Sequence, residues 1–172
     1  MIKRAHKNSG GRSCKNQNLH LYDLGYRFKT DVAQIRFLNP ALSALTQEDW
    51  GKAYSVLPGI LRGFCSFFSV DERDVAGTLQ YYVHPATGDG CYAIILYDST
   101  PGGAGYVRML QQPDSPELVL RETLLLMERC TFGGDTADTS CYTCLRNYYN
   151  QKHHNQLNRG MVIHFIRSIC KG

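Results

Sequence analysis

The spacing of apolar residues in the first hundred positions predicts paired strands. Apolar residues are irregularly spaced over residues 19–28 and 32–37, which predicts two strands, and Asn39-Pro40 ends the second. Residues 77–84 and 91–97 are rich in β-forming side chains and flank turn residues at 85–90. This second pattern predicts a β-hairpin.

A helical repeat of apolar residues covers residues 48–70. Intervals of three and four place one set of side chains on a single helix face, which predicts a core-facing stripe: Trp50, Tyr54, Leu57, Leu61, Phe64, Cys65 and Phe68. Pro58 interrupts the pattern. Because a mid-helix proline lacks an N–H and clashes with the preceding turn, we expect a kink or a split there.

Three further helices are predicted in the second half. A short one covers residues 106–111, and a longer one covers 117–129, with Ser115 as N-cap and Pro116 at the first helical position. The last covers residues 157–169. The predicted class is α+β, with an antiparallel or mixed sheet and helices on one side.

Composition is that of an ordinary soluble protein, with 43% hydrophobic and 20% charged residues. The longest apolar runs are far shorter than the roughly 20 residues that span a membrane. Basic residues at the start precede no apolar stretch, so no signal peptide is predicted. We therefore expect an intracellular, cytoplasmic protein with no membrane association.

Basic residues are concentrated at the two ends. Residues 1–22 contain five lysines and arginines and no acid, and residues 139–172 contain five more, again without an acid. Two solvated surface segments explain this pattern as well as a phosphate-binding face does. If the fold brings the ends together, they form a surface that attracts nucleic acid.

Cysteine spacing is the strongest chemical signal. Cys130, Cys141 and Cys144 form a C-x10-C-x2-C pattern among seven cysteines in total. Two thiolates three residues apart can bind one ion, and a third from a helix end completes most of a tetrahedral zinc shell. Buried free cysteines are the alternative. The polar neighbours of the C-x2-C pair favour Zn²⁺. The predicted α+β fold therefore ends in a zinc-stabilised C-terminal segment.

The fourth zinc ligand is less evident from the sequence. His153 and His154 follow the C-x2-C pair within reach, and we take His154 as the ligand. Cys91 and Cys170 lie farther away along the chain.

A second candidate site begins at Asp98, at the end of a predicted strand. The glycine-rich segment 101–105 follows it and leads into a short helix. Backbone N–H groups in such a turn can bind an anion, and tight strand–helix packing explains the glycines equally well. The segment lacks the G-K-[ST] of a Walker loop and is not G-x-G-x-x-G.

The third candidate is a polar segment around residues 146–159. Tyr148 and Tyr149 are interleaved with Arg146, Lys152 and Arg159, which suits base stacking and phosphate contact. A capped loop that enters the last helix is the alternative.

Four ordered blocks of this sequence resemble a known family. They are residues 24–32 (LGYRFKTDV), 97–105 (YDSTPGGAG), 140–145 (SCYTCL) and 150–159 (NQKHHNQLNR). The chain resembles the MrfA zinc-binding domain (MZB) family, found at the C-terminal end of superfamily-2 DNA helicases. It is similar also to the C-terminal part of DrmB of the DISARM antiphage system. The likeness covers about residues 19–165.

The resemblance implies a zinc site that this chain only partly reproduces. The family usually has one more cysteine between the positions of Cys130 and Cys141, and residues 131–140 contain none. His6 and Cys14 resemble the end of a zinc ribbon that precedes this domain in longer relatives. We therefore divide the chain into a basic segment, residues 1–18, and an MZB-like domain, residues 19–172.

The resemblance also implies a function. We expect a non-catalytic, zinc-binding accessory module of a helicase-type DNA-processing, DNA-repair or antiviral defence complex. Its partners would be a superfamily-2 helicase or defence-complex subunit, nucleic acid (DNA above all) and, as a further option, a second copy of the chain. The alternative is a phosphodiesterase (nuclease) that uses Asp98 and His154 as acid and base. A third possibility is a scaffold in which zinc only stabilises the fold.

Overall fold

The structure is a computed structural model of the chain. It describes residues 2–3, 9–12, 18–19, 25–37, 45–46, 49–134 and 137–170. His6 and Cys14, the pair that resembles part of a zinc ribbon, lie outside these residues, as does most of the basic segment 1–18.

A three-stranded antiparallel sheet forms the base of the fold. Two short strands, β1 (Ile2–Lys3) and β2 (Asn18–Leu19), pair separately. The main sheet contains β3 (Val32–Ile35), β4 (Val75–Val83) and β5 (Gly90–Asp98) in the order β3-β5-β4. The predicted hairpin is therefore confirmed, with nine residue pairs in register between β4 and β5.

The predicted strand at residues 19–28 is wrong in the part that the structure describes. Residues 25–31 form no strand, and β2 includes only residue 19 of the predicted range. The side chain of Tyr26 is 82% exposed, and the segment contacts the sheet through Phe28, whose ring centroid lies 6.5 Å from that of Tyr97 in β5. Hydrogen bonds from Thr30 Oγ1 to the Asp98 carbonyl and from Gly102 N–H to the Lys29 carbonyl tie it to the end of β5 instead.

The helix α1 (Trp50–Phe68) packs against one face of the sheet and places Val56, Ile60 and Phe64 in the core. Pro58 lies inside this helix, which continues through it without a break, so of the predicted kink or split the split does not occur. Burial along the whole helix offsets the one backbone hydrogen bond that proline cannot donate.

Two more helices pack on α1. They are α2 (Ser115–Arg129), which follows a 3₁₀ helix at Val107–Gln111, and α3 (Arg159–Cys170). The close approach of α1 and α2 depends on Gly63 in α1, because a Cβ atom there would lie 2.9 Å from the Cα atom of Thr123 in α2. The opposite face of the sheet exposes polar residues such as Gln34 and Gln80, whose amides form a hydrogen bond. The predicted α+β class with helices on one side is confirmed.

The start of α2 differs from the prediction. Ser115 is already the first helical residue and is buried, and Asp114 precedes the helix with a φ of 65° in the left-handed region. Among the residues that the structure describes, no helix is both long and apolar enough to cross a membrane.

Candidate metal centre

Three cysteines from two separate segments meet beside the C-terminal end of α2. Cys130 follows the last residue of α2, and Cys141 and Cys144 lie in a turn between α2 and α3. The Sγ atoms of Cys130 and Cys141 are 3.6 Å apart, and those of Cys141 and Cys144 are 3.7 Å apart. All three Sγ atoms lie within 4.8 Å of one another.

The turn that contains the C-x2-C pair is held by its own backbone. The carbonyl of Cys141 accepts hydrogen bonds from the N–H groups of Cys144, Leu145 and Arg146, at 3.3, 3.1 and 2.9 Å. The N–H of Cys141 donates to the Sγ atom of Cys144 at 3.1 Å. Leu145, which follows Cys144 in the sequence, is buried in the core and anchors the turn there.

The pKa values of the two cysteines in the turn are shifted in opposite directions. Burial alone raises the pKa of Cys141, but hydrogen bonds from the Thr143 backbone and from Cys130 and Cys144 outweigh it and lower this pKa to about 7. Burial, together with the neighbouring sulfur atoms, raises the pKa of Cys144 to about 12. A positive ion between the sulfur atoms would remove this penalty, because thiolate is the form that binds metal.

The cluster fits zinc. Zinc–sulfur bonds of about 2.3 Å in a tetrahedral shell place sulfur atoms about 3.8 Å apart, close to the two short separations found here. Cys130, Cys141 and Cys144 would hold the ion, and soft thiolate ligands favour Zn²⁺ for a site without redox chemistry. The ion would supply folding energy, because it links the end of α2 to the turn before α3.

His154 does not join the cysteines. Its Nε2 atom lies 3.1 Å from the Asn147 carbonyl oxygen and 2.9 Å from Asn150 Oδ1, and its ring packs edge-on against Tyr142. The group of potential ligand atoms contains the three cysteines alone among the described residues. The prediction that His154 completes the shell is therefore not supported, because the polar segment folds on itself and engages the imidazole locally.

Arg159 has a structural position rather than a surface one. It is 4% exposed, and its guanidinium donates to the carbonyls of Met127, Phe132 and Gly134 at 2.9, 3.1 and 3.2 Å. The Met127 carbonyl lies in the last turn of α2, where a helix leaves its carbonyls without partners. The other two lie in the loop after the helix. The structure therefore corrects the prediction that Arg159 contacts nucleic acid.

The other predicted nucleic-acid residues lie on the surface. Tyr148 and Tyr149 are 77% and 85% exposed, with their ring centroids 5.7 Å apart, and Lys152 is exposed next to them in the sequence. Arg146 is half-buried and donates from Nε to Ser140 Oγ at 3.0 Å. Two aromatic rings are thus exposed in a segment that also carries Lys152 and Arg146.

Asp98 is fully buried, and backbone N–H groups donate hydrogen bonds to both oxygens of its carboxylate. Oδ2 accepts hydrogen bonds from the N–H groups of Ala104, Gly105 and Tyr106, and Oδ1 accepts one from Val107. The glycine-rich segment thus binds the protein's own carboxylate rather than an external anion. With an exposure of 0% among the described residues, this carboxylate presents no surface to a substrate.

One residue that supports the site was not found by sequence reasoning. Arg62, on α1, donates to the carbonyls of Tyr142 and Thr143 and forms an ion pair of 3.2 Å with Glu72. It therefore holds the C-x2-C turn against α1. Nothing in the sequence indicates this contact, because about eighty residues separate the partners.

Comparison with protein-family models decides the family. The model of the MrfA Zn-binding domain, MZB, matches residues 58–145, which include all three clustered cysteines. The chain belongs to the MZB family. The resemblance found in the sequence motifs is thereby confirmed.

Two larger proteins contain a region similar to this MZB chain. Druantia protein DruE of Escherichia coli (strain UMEA 4076-1) is 34% identical over 170 residues, which cover 94% of this chain and 9% of DruE. A crystal structure of the DUF1998 helicase MrfA bound to DNA matches the fold with a TM-score of 0.50 and 15% identity, over 94% of this chain and 19% of that one. The chain thus spans about a tenth and a fifth of the lengths of these relatives.

Proposed function

We propose that this MZB domain is a zinc-stabilised, non-catalytic module of a helicase-type DNA-processing or antiphage defence complex. The observation that carries the proposal is the convergence of Cys130, Cys141 and Cys144 within a domain of this family. The similar region in MrfA belongs to a helicase bound to DNA, and the one in DruE belongs to a Druantia protein. Both support a role within a larger machine.

Contact with nucleic acid would use the exposed tyrosines and the nearby positive charge. Tyr148 and Tyr149 present ring faces on which unpaired bases can stack, and Lys152 and Arg146 supply cationic groups for phosphate. Stacking favours single-stranded DNA, because every base has a face that an aromatic ring can cover. We name this set of four residues the tyrosine ledge.

Binding of a fluorescent single-stranded oligonucleotide tests the ledge. Because stacking contributes about 1–3 kcal/mol per base, the Tyr148→Ala, Tyr149→Ala double variant should weaken binding at least about fivefold. Lys152→Gln should reduce the slope of log K against log salt concentration by about 0.7. Tyr26→Ala, another strongly exposed tyrosine, and Arg121→Gln on α2 are the matched controls. Equal losses of affinity in the control and ledge variants would refute the proposal that the tyrosine ledge binds single-stranded DNA.

A helicase or defence-complex subunit is the proposed protein partner. The outer face of α2 exposes Leu118 and Leu125, which are seven residues apart and so share a helix face, and Phe132 follows the helix. These side chains are 41%, 45% and 54% exposed. Apolar groups gathered in this way are typical of a contact surface.

Co-purification from the native host tests the partnership. The tagged chain should retain a helicase-type subunit, and Leu125→Glu should release it while zinc content stays unchanged. Val32→Glu, which alters an exposed apolar residue on the opposite face of the sheet, is the control. Recovery of only a second copy of the chain would replace the helicase partner with self-association.

A further inference from the structure

The described part of the chain supplies three zinc ligands where a closed structural site needs four. Structural zinc is almost always tetrahedral with four protein ligands. Among the described histidines, cysteines and carboxylates, none besides Cys130, Cys141 and Cys144 belongs to the group. His154, the nearest candidate in sequence, is engaged by Asn147 and Asn150.

A cleft adjoins the cysteine cluster at Cys130. Its volume is about 460 Å³, and its walls come from the end of α2, the loop after it and one face of α3. Cys130, Gly134, Ala137, Arg159 and His164 are among the lining residues. Sites for small molecules in proteins have volumes of about 300–1,000 Å³, so the cleft can admit one.

Charge in this cleft favours an anionic donor. Three thiolates around Zn²⁺ carry a net negative charge, and the buried Arg159 lines the same cleft as Cys130. Arg159 donates to three backbone carbonyls, and its Nε atom has no hydrogen-bond partner. Arg167, also in the wall, is paired with Glu128 at 2.7 Å. Among the described residues, Arg159 thus contributes an unpaired positive charge to the wall of this cleft.

We propose that zinc here is bound by three cysteines and that its fourth position is open to the cleft, where a low-molecular-weight thiol replaces water. The inference rests on the zinc binding proposed above. In the exchange the zinc–oxygen bond to water breaks and a zinc–sulfur bond forms. The incoming thiol releases its proton to solvent, and no atom is oxidised or reduced.

A thiol is the favoured ligand because of what already surrounds the ion. A zinc ion with three sulfur ligands is a soft centre that prefers a fourth sulfur to water. The thiolate also adds a negative charge, and the cationic Arg159 lines the cleft that the thiol would enter. The site would therefore bind a ligand reversibly, whereas the four-cysteine arrangement usual in the family leaves no position free.

X-ray absorption at the zinc edge tests the proposal on the intact protein. Purified without added thiol, it should show three sulfur atoms at about 2.3 Å and one oxygen at about 2.0–2.2 Å. Excess 2-mercaptoethanol should raise the sulfur number to four and remove the oxygen. His154→Ala, Asp135→Ala and Asp138→Ala should each leave both spectra unchanged.

A separate experiment tests whether the thiol reaches the metal through the cleft. With Co²⁺ in place of zinc, visible absorption reports the exchange and gives the Kd for 2-mercaptoethanol. His164→Glu adds a negative charge to the cleft wall and should raise this Kd roughly two- to fivefold. Met161→Glu, on the same helix and outside the set of lining residues, should leave the Kd unchanged.

Three results would overturn the proposal. Four sulfur atoms before thiol is added, a sulfur number that thiol leaves at three, or a spectrum that one carboxylate or histidine variant changes would each show a shell closed by the protein. Each of these would leave the proposed zinc binding intact. Absence of zinc from the purified protein would remove both ideas together.

Discussion

The guanidinium group of Arg159, the first residue of α3, donates a hydrogen bond of 2.9 Å to the carbonyl oxygen of Met127, near the end of α2. The same group reaches the carbonyls of Phe132 and Gly134 in the loop that follows Cys130. One buried side chain thus fixes the end of α2, the start of α3 and the loop beside the metal cluster. This position explains why Arg159 is unsuited to bind nucleic acid.

Replacement of Arg159 should destabilise the fold. Arg159→Ala leaves three carbonyls without their charged donor, and hydrogen bonds to charged groups contribute about 1.5–3 kcal/mol each. We expect a loss of about 2–4 kcal/mol in the free energy of unfolding, measured by urea denaturation.

Arg167→Ala is the matched control for this variant. Arg167 is half exposed and pairs with Glu128 on α2, so its loss should cost less than about 1 kcal/mol. If Arg159→Ala kept full stability and instead abolished DNA binding, the assignment of Arg159 to the interior would be refuted.

Asp98→Asn should also destabilise the protein. Four backbone N–H groups converge on the two carboxylate oxygens. An amide offers one oxygen, and its NH₂ group would face at least one of these donors, which leaves a buried N–H unpaired at a cost of about 1–3 kcal/mol. Thermal unfolding measures the loss. The exposed Asp89, changed to asparagine, should behave as wild type, and equal losses at both positions would contradict the role given to Asp98.

Local patterns predicted most of the secondary structure and the three cysteines. The hairpin followed from β-forming residues around a turn, and α1 from its three-and-four spacing, because both signals lie within a single element. The C-x2-C pair was visible for the same reason. Its approach to Cys130 depends on how α2 ends.

Roles set by tertiary contacts were not predictable in this way. Arg159 and Arg146 look alike in the sequence, but one lies beneath the end of α2 and the other reaches the surface. His154 follows a C-x2-C pair at ligand spacing, yet Asn150, four residues before it, competes for its imidazole. Asp98 resembles a catalytic carboxylate until the four N–H groups that surround it are known.

We expect no nuclease activity. The carboxylate of Asp98 is inaccessible, and His154 is held by Asn147 and Asn150. Labelled single- and double-stranded DNA and RNA should remain intact with Mg²⁺, with Zn²⁺ and with chelator. Cleavage by the wild type that His154→Ala abolishes, with the fold retained, would favour the phosphodiesterase over the binding module.

Zinc affinity should fall as the pH falls. Metal binds thiolates, so protons compete with zinc for the three sulfur atoms. Burial raises the pKa of Cys144 to about 12, so this thiol must release a proton on binding at neutral pH. Cys141, with a pKa of about 7, becomes a second competitor below that value. Competition with a chromophoric chelator between pH 6 and pH 8 measures the trend, and a pH-independent affinity would contradict thiolate ligation.

The central claim is that zinc holds the three cysteines together and stabilises this domain. Elemental analysis of the purified protein, combined with circular dichroism before and after chelation, tests it most directly. We predict about one zinc per chain, loss of the metal in Cys144→Ser but not in Cys91→Ser, and unfolding when the chelator removes it. A protein that contains no zinc and keeps its fold and thermal stability in chelator would contradict the account.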